Sequence, residues 1–379
     1  MINKAIIIGA GIGGLVTAIA LRRAGVEVLV YERAAAAGEM GAGLTLWANA
    51  MRGLRGLGLA EQVIAAGAPI REAAIRSWRG KNLSVAGTET MERAMGEPTI
   101  AIHRAKLHEI LLGALPGEAV RFGESFANYR QDANFVAARF SNHDEARADL
   151  LIGADGIHSS VRKQMLPTVR PRYAGYTAWR AVITTPEKTA VGMTSETWGC
   201  GSRFGIVPVS DREIYWFATG NMNEGMKLTA RENKLTLVER LRGWHDPIPG
   251  MVSGTPADAI LRNDALDLEP LPKWSNGRVT LLGDAAHATT PNLGQGACQA
   301  IESAIALTEC LAAENALPAA LERYEAQRKP RTTLIMKESL KIGRVGQWEN
   351  RMMCGLRNMA VSMTPDRLLK RKVMSIVNG

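Results

Sequence analysis

The stretch from Lys4 to Glu32 constrains this chain more than any other. KAIII at residues 4–8 is a short apolar run that ends in GAGIGG at Gly9–Gly14. VTAIALRRAG follows at helical spacing, and VEVLVYE forms a second apolar run ending at Glu32. Strand, glycine turn, helix and strand within about 30 residues make a βαβ unit.

The glycines fall where a dinucleotide needs them. In Gly9–Gly14, Gly9 permits a tight turn, Gly11 lets backbone approach a pyrophosphate, and Gly14 allows close helix–strand packing. The helix start then offers unpaired N–H groups and a positive dipole end. Glu32 suits the two hydroxyls of an adenosine ribose and would repel a 2′-phosphate, which argues against NADP at this site. The motif alone does not separate NAD from FAD.

A second glycine-bearing loop, LLGDAAHATTPNLGQGACQAIESA, runs from Leu281 to Ala304 and also leads into a helix. Asp284 stands at the end of a strand, where it can accept from a sugar-like hydroxyl chain. Gly294, Gly296 and the backbone at Ala297 can bring N–H groups close to a planar ring. For NAD the first loop and Glu32 would nearly suffice. FAD is longer at its other end, and one FAD touching both loops explains their wide separation. A helix start there also favours the negative charge of a reduced flavin. The simpler alternative is a helix entry made of small residues for packing.

The chain has 379 residues, 46% of them hydrophobic, enough for a large core and two subdomains. The net charge of +9 admits nucleic acid, an anionic surface or an anionic cofactor. No zinc-ligand pattern, no Arg/Lys run before the last helix and no aromatic-rich RNA motif occurs, so neither a metal nor nucleic acid is expected. Cys200, Cys298, Cys310 and Cys354 are far apart and form no CxxC, which suggests a reducing compartment. A first strand at Lys4 leaves no room for a signal peptide, and no apolar run approaches the roughly 20 residues of a membrane span. A cytoplasmic enzyme is expected.

The middle of the chain changes period. YTAWRAVITT, SRFGIVPV and EIYWFATGN read as strands of an antiparallel sheet, and GRVTLLGD returns to a buried strand. This order predicts a discontinuous cofactor domain at residues 1–72, 96–170 and 266–340. A substrate-binding sheet domain takes 73–95 and 171–265, and C-terminal helices take 341–379.

Three ordered motifs make the chain resemble the FAD-dependent aromatic-ring (group A) monooxygenases of the p-hydroxybenzoate hydroxylase fold. They are GAGIGG with Glu32, GADGIHSSVR at Gly153–Arg162, and GDAAHATTPNLGQG at Gly283–Gly296. The resemblance spans nearly the whole chain. Within the family the chain is most similar to urate hydroxylase, zeaxanthin epoxidase and alkylquinolone 3-monooxygenase, and it lacks the WxWxIP motif of the flavin halogenases. The implied fold is α/β: a Rossmann-like FAD-binding domain with an inserted antiparallel-sheet substrate domain and C-terminal helices.

The resemblance also implies roles at matching positions. Gly9, Gly11, Gly13, Gly14, Glu32 and Arg33 would bind adenosine and pyrophosphate. Thr45, after the GAG run Gly41–Gly43, would lie near the ribityl side. Arg104 would contact the cofactor, and Phe126 would give a backbone contact to adenine. Asp155 would serve both FAD and NAD(P)H. Asp284, Gly294, Gln295, Gly296, Ala297 and Cys298 would hold ribityl chain and isoalloxazine. Arg203 and Tyr215, spaced around Pro208, would be the catalytic pair that meets substrate or flavin.

The implied activity is hydroxylation or epoxidation of a small aromatic or heteroaromatic substrate through a flavin C4a-hydroperoxide. It would consume O2 and NADPH or NADH, the nicotinamide docking transiently, in a monomer or homodimer. Two other readings stay open: a flavoprotein reductase or dehydrogenase of the same fold without oxygen insertion, and a non-catalytic flavin-binding redox sensor.

Other conspicuous residues have plainer expectations. His103, His158 and His287 are expected to pack or cap, Trp47, Trp179, Trp198 and Trp216 to fill core or line a pocket wall, and Cys298 to fill space. Met352, Met353, Met359, Met363 and Met374 are expected as core filler. The basic last helix, with Arg367, Lys370, Arg371 and Lys372, is expected to pack on the cofactor domain with a solvated basic face, although it would also suit an anionic membrane surface.

Overall fold

The computed structural model of the chain describes residues 2–38, 42–185 and 192–377. Gly41 of the expected GAG run and the side chains of Lys370 and Lys372 lie outside what it describes. The chain opens with β1 (Lys4–Ile8), α1 (Ile12–Arg23), β2 (Glu27–Glu32) and β3 (Gly43–Leu46). A hairpin of β4 (Glu72–Ser77) and β5 (Asn82–Gly87) precedes β6 (Ile100–His103), α2 (Arg104–Gly113) and β7 (Val120–Phe122). Then come β8 (Leu150–Gly153), α3 (Ser160–Met165), β9 (Arg172–Thr184), β10 (Met193–Trp198), β11 (Ser202–Pro208), β12 (Glu213–Asn221) and β13 (Leu261–Asp267). The chain returns through β14 (Ser275–Asn276) and β15 (Val279–Leu281) to α4 (Gly296–Ala313), α5 (Leu317–Gly346), α6 (Arg351–Met363) and α7 (Asp366–Val377).

The half expected to hold the cofactor is built on a six-stranded sheet of order β14-β15-β8-β1-β2-β7, parallel except at β14. Its strands are β-branched or leucine-rich and buried on both faces, as a covered parallel sheet requires. Helix α1 has nine buried residues out of twelve because it is wedged between this sheet and α4.

The second half is a seven-stranded sheet of order β13-β9-β12-β11-β10-β4-β5. All its pairs are antiparallel except β10 with β4, which run parallel, so the expected antiparallel sheet has one parallel junction. Successive side chains alternate faces. One face buries Trp179, Phe204 and Trp216 against the helices Ala230–Arg240 and Ile248–Gly254. The indoles of Trp179 and Trp216 donate to Asn233 and Thr255, so neither buried N–H is orphaned. The other face carries Arg180, Glu196, Arg203, Tyr215 and Phe217, which the strand registers place on one side.

Two expectations about the C-terminus divide. Helix α7 packs Val373, Met374 and Val377 against Trp47, Ala48 and Met95, as expected of a packed last helix. The methionines of α6 are not core filler: Met352 is 70% and Met363 72% exposed, and Met353 and Met359 are exposed too. Among the described residues, no helix is long and apolar enough to cross a membrane.

Candidate active site

The three motif loops meet at the carboxyl ends of β1, β8 and β15, the edge where open parallel sheets bind ligands. The close approaches occur at glycines. Gly9 has φ +105°, and a Cβ there would come within 2.5 Å of the Ala154 carbonyl oxygen in the second motif. A Cβ on Gly13 would come within 2.8 Å of Leu282 and 3.2 Å of Ala300, which flank the third. A Cβ on Gly14 would collide with the carbonyl of Gly9. Gly11 differs: nothing lies within 4 Å of its Cβ position. The loop is therefore packed tight on one side and open on the other, and the open side is the one a pyrophosphate needs.

Both long helices that start here begin without a side-chain cap. α1 starts at the Gly11 N-cap and α4 at the Gln295 N-cap, and neither has an acidic residue in its first turn. Each leaves unpaired N–H groups and a positive dipole end at the same sheet edge. Glu32 is held by N–H donation from Ala10 to one carboxylate oxygen and from Ala34 to the other, both at 2.9 Å. A carboxylate has about four acceptor positions, so two remain for a ribose diol. Arg33 is exposed just beyond, and Glu124 donates to the Glu32 carbonyl, two residues before Phe126 opens the next strand.

Several buried polar atoms at this edge await a partner. Asp155 Oδ2 accepts from the backbone of Ser160 and Val161 and so caps α3, whereas Oδ1 has no hydrogen-bond partner among the described residues. The indole N–H of Trp47 and the amide nitrogen of Gln295 are likewise buried without partners. Trp47 Nε1 lies 3.3 Å from the Cβ position of Gly294, which adopts a left-handed φ of +61°. Orphaned donors and acceptors of this kind are uncommon in folded proteins. Their alternation of donors, an acceptor and two open helix starts fits a long cofactor with a diphosphate, a hydroxyl chain and a polar ring.

Asp284 has substantial exposed surface, yet protein encloses it closely enough for desolvation to raise its pKa, opposed by Arg104 and Arg162. A carboxylate that is both accessible and desolvated is what a ribityl chain would cover. Arg104, at the start of α2, is desolvated, which lowers its pKa, and the charge of Asp284 works against that. Cys298 donates weakly to the carbonyls of Thr45 and Gly294, so it ties the start of α4 to β3. Burial pushes its thiol up to about 12, so it is an inert space filler.

The wall facing this edge comes from the other sheet. Tyr215 lies half-buried against Gly43, with Arg104 and Arg180 within electrostatic reach. Desolvation raises its phenol to about 12, the two arginines opposing the shift. Arg180 donates to Asn263 at 2.5 Å, while its Nε is buried without a partner. Arg203 shares the face of Tyr215 but is almost fully buried. It pairs with Glu196 at 2.9 Å, donates to Gln347 and Asn292, and covers the Tyr176 ring. That makes it a brace between the sheet, the third motif and the end of α5.

Sequence reasoning missed Arg180, Arg162 and Asn292. Arg162 is buried and donates to the Ala285 carbonyl, joining the second motif to the third. Period-two alternation in YTAWRAVITT offered a signal for Arg180, on the face opposite Trp179. The histidines have the expected plain roles where they are engaged. His103 accepts from the Ala105 N–H, and His287 is buried beside Trp274 with a pKa pushed down to about 3 by desolvation. Among the described residues no cluster of His, Cys, Asp and Glu could hold a metal ion.

Comparisons with known proteins place the chain in a family. A family model described as "FAD binding domain" matches residues 3–339. The chain is 42% identical to the aurachin C monooxygenase/isomerase of Stigmatella aurantiaca, over 94% of this chain and 93% of that protein. It is 32% identical to the 2-heptyl-3-hydroxy-4(1H)-quinolone synthase of Pseudomonas aeruginosa, over 98% and 97%. The crystal structure of Klebsiella pneumoniae HpxO complexed with FAD and uric acid superposes with a TM-score of 0.93 at 30% identity, covering 99% of this chain and 96% of that one.

Proposed function

This chain belongs to the FAD binding domain family of flavin-dependent aromatic-ring monooxygenases, and from that premise we propose that it hydroxylates a planar heteroaromatic substrate bearing an ionisable oxygen. NADH or NADPH would be the reductant. Bound FAD supplies the redox chemistry, accepting a hydride and activating O2.

The chain's own residues supply binding, orientation and exclusion of water. Gly11 and the start of α1 would take the pyrophosphate, Glu32 the adenosine ribose, and Asp284 the hydroxyl chain. Amides at Gly296, Ala297 and Cys298, at the uncapped start of α4, would favour negative charge on the ring's pyrimidine edge. Opposite, Tyr215 keeps its proton and offers an O–H donor. Arg180 and Arg104 favour a substrate that has given up a proton, and an ionised ring oxygen makes the ring carbon beside it more electron-rich. Arg203 is a positioning residue that holds Glu196, Asn292 and Gln347 in register.

The observation that carries this reading is the juxtaposition of Tyr215 and Arg180, from the second sheet, with Arg104 and Asp284, from the cofactor half. The relatives' names support the substrate class, since they include a hydroxyquinolone and uric acid. The test is stopped-flow flavin reduction by NADH and by NADPH with a panel of phenols, quinolones, purines and indoles. One class should speed reduction many-fold and emerge hydroxylated. A yellow protein that no compound accelerates would favour a redox sensor.

A further inference from the structure

Helix α6 is turned inside out. Its inner face is polar: Cys354 donates to the Trp348 carbonyl at 3.1 Å, and Arg357 donates to Gly199 at 2.9 Å and Gly346 at 3.1 Å. Arg357 also lies over the Trp198 ring, 5.1 Å from its centre, and the Asn350 side chain caps the helix. Its outer face is apolar. Met352, Leu356, Met359 and Met363 recur at helical spacing, and are exposed by 70%, 48%, 54% and 72%. An ordinary surface helix of a globular protein buries that stripe.

Charge gathers at the same end of the chain. Residues 341–379 hold eight Lys and Arg against two Asp and Glu, +6 of the chain's total of +9. Arg351 at the start of α6, and Arg367 and Arg371 on α7, are exposed, as is Leu368 at 57%. A second copy of this chain would bring the same excess of positive charge against itself. A surface of negative charge over an apolar interior is the complement.

We propose that the Met/Leu stripe of α6, with the arginines around it, is a docking surface for an anionic lipid bilayer. The stripe enters the boundary between headgroups and acyl chains while the arginines meet lipid phosphates. Because α6 is bonded to Gly199 and follows Gln347, the partner of Arg203, the docked face lies beside the substrate sheet.

The test uses the flavin-loaded full chain with vesicles of phosphatidylglycerol mixed with phosphatidylcholine, and with phosphatidylcholine alone. The protein should sediment with the first and stay in solution with the second. Raising salt from about 0.1 M to about 1 M should release it, since the screening length falls from about 10 Å to about 3 Å. Arg351→Ser should weaken partitioning about fivefold, the worth of one basic residue near an anionic surface. Met352→Glu/Met363→Glu should abolish sedimentation while flavin absorbance and basal turnover persist. The proposal is overturned if the parent ignores anionic vesicles or if the double variant sediments like the parent. It is also overturned if light scattering shows a dimer that this variant dissociates, which would make the stripe an interface between copies.

Discussion

The ring of Tyr215 occupies the space where Gly43 has no side chain: a Cβ on Gly43 would come within 2.6 Å of Tyr215 Cβ and Cγ. Tyr215 belongs to the seven-stranded sheet and Gly43 to β3, which pairs with β6 outside the six-stranded sheet, so this contact joins the seven-stranded sheet to that smaller one. Gly43→Ala should shift the ring and cost about 1–3 kcal/mol, as overpacking does. A lowered Tm together with lost coupling of NAD(P)H consumption to product would show it. Unchanged values for both would mean that the contact relaxes freely.

Tyr215→Phe keeps the packing and removes the hydroxyl. Melting should move little, flavin content should stay the same, and turnover of the true substrate should fall about tenfold or more for a lost buried donor. Because burial holds the phenol near 12, Tyr215 stays protonated across the working range. The parent's rate profile between neutral and mildly alkaline pH should therefore contain no inflection that Tyr215→Phe removes. A step that disappears in the variant would contradict this placement.

Gly11 and Gly14 separate binding from folding. Gly11→Val places its side chain in open space, so the chain should fold, with circular dichroism unchanged, and purify without flavin. Gly14→Val drives its side chain into the Gly9 carbonyl and should unfold the first βαβ unit. A yellow Gly11→Val protein would place the pyrophosphate elsewhere.

Glu302 gives the fold a predictable acid limb. Burial alone would raise its pKa, but Arg331, Arg328 and Asn49 bond or face its carboxylate and bring it down to about 2. Its folded pKa lies below its unfolded value of about 4.3, so its contribution is fully present above that value and fades as pH falls toward 2. Denaturation from pH 7 down to pH 3, by roughly the range where unfolded carboxylates titrate, should show a stability loss that Glu302→Gln flattens. Since Arg331 also donates to the carbonyls of Ile376 and Val377, that variant should loosen α7 as well.

Much of this architecture was legible because its signals are local. Gly9, Gly11 and Gly14 act through backbone geometry at fixed spacing, and Glu32 needs only to end the next strand. The two glycine loops could be joined in thought because one cofactor is long enough to touch both. Other features arise from contacts made far along the chain. The bond of Arg203 to Gln347 spans 144 residues and that to Asn292 spans 89, and nothing local announces either. EAAIRS in β4 and MTSETW in β10 carry no clear apolar alternation, so neither strand nor their parallel pairing was visible in the sequence. An amphipathic α6 reads the same whether its methionines face inward or outward. Its orientation is decided by Cys354 and Arg357, whose partners are set by the tertiary fold.

The most direct test follows the oxygen. Once a panel compound is found to speed flavin reduction, turnover is run under ¹⁸O2 in ordinary water and the product is weighed by mass spectrometry. A monooxygenase built on these residues places one ¹⁸O in each product molecule. A product without the label, with NAD(P)H consumed and only hydrogen peroxide formed from O2, would contradict oxygen insertion and leave a flavoprotein oxidase or reductase.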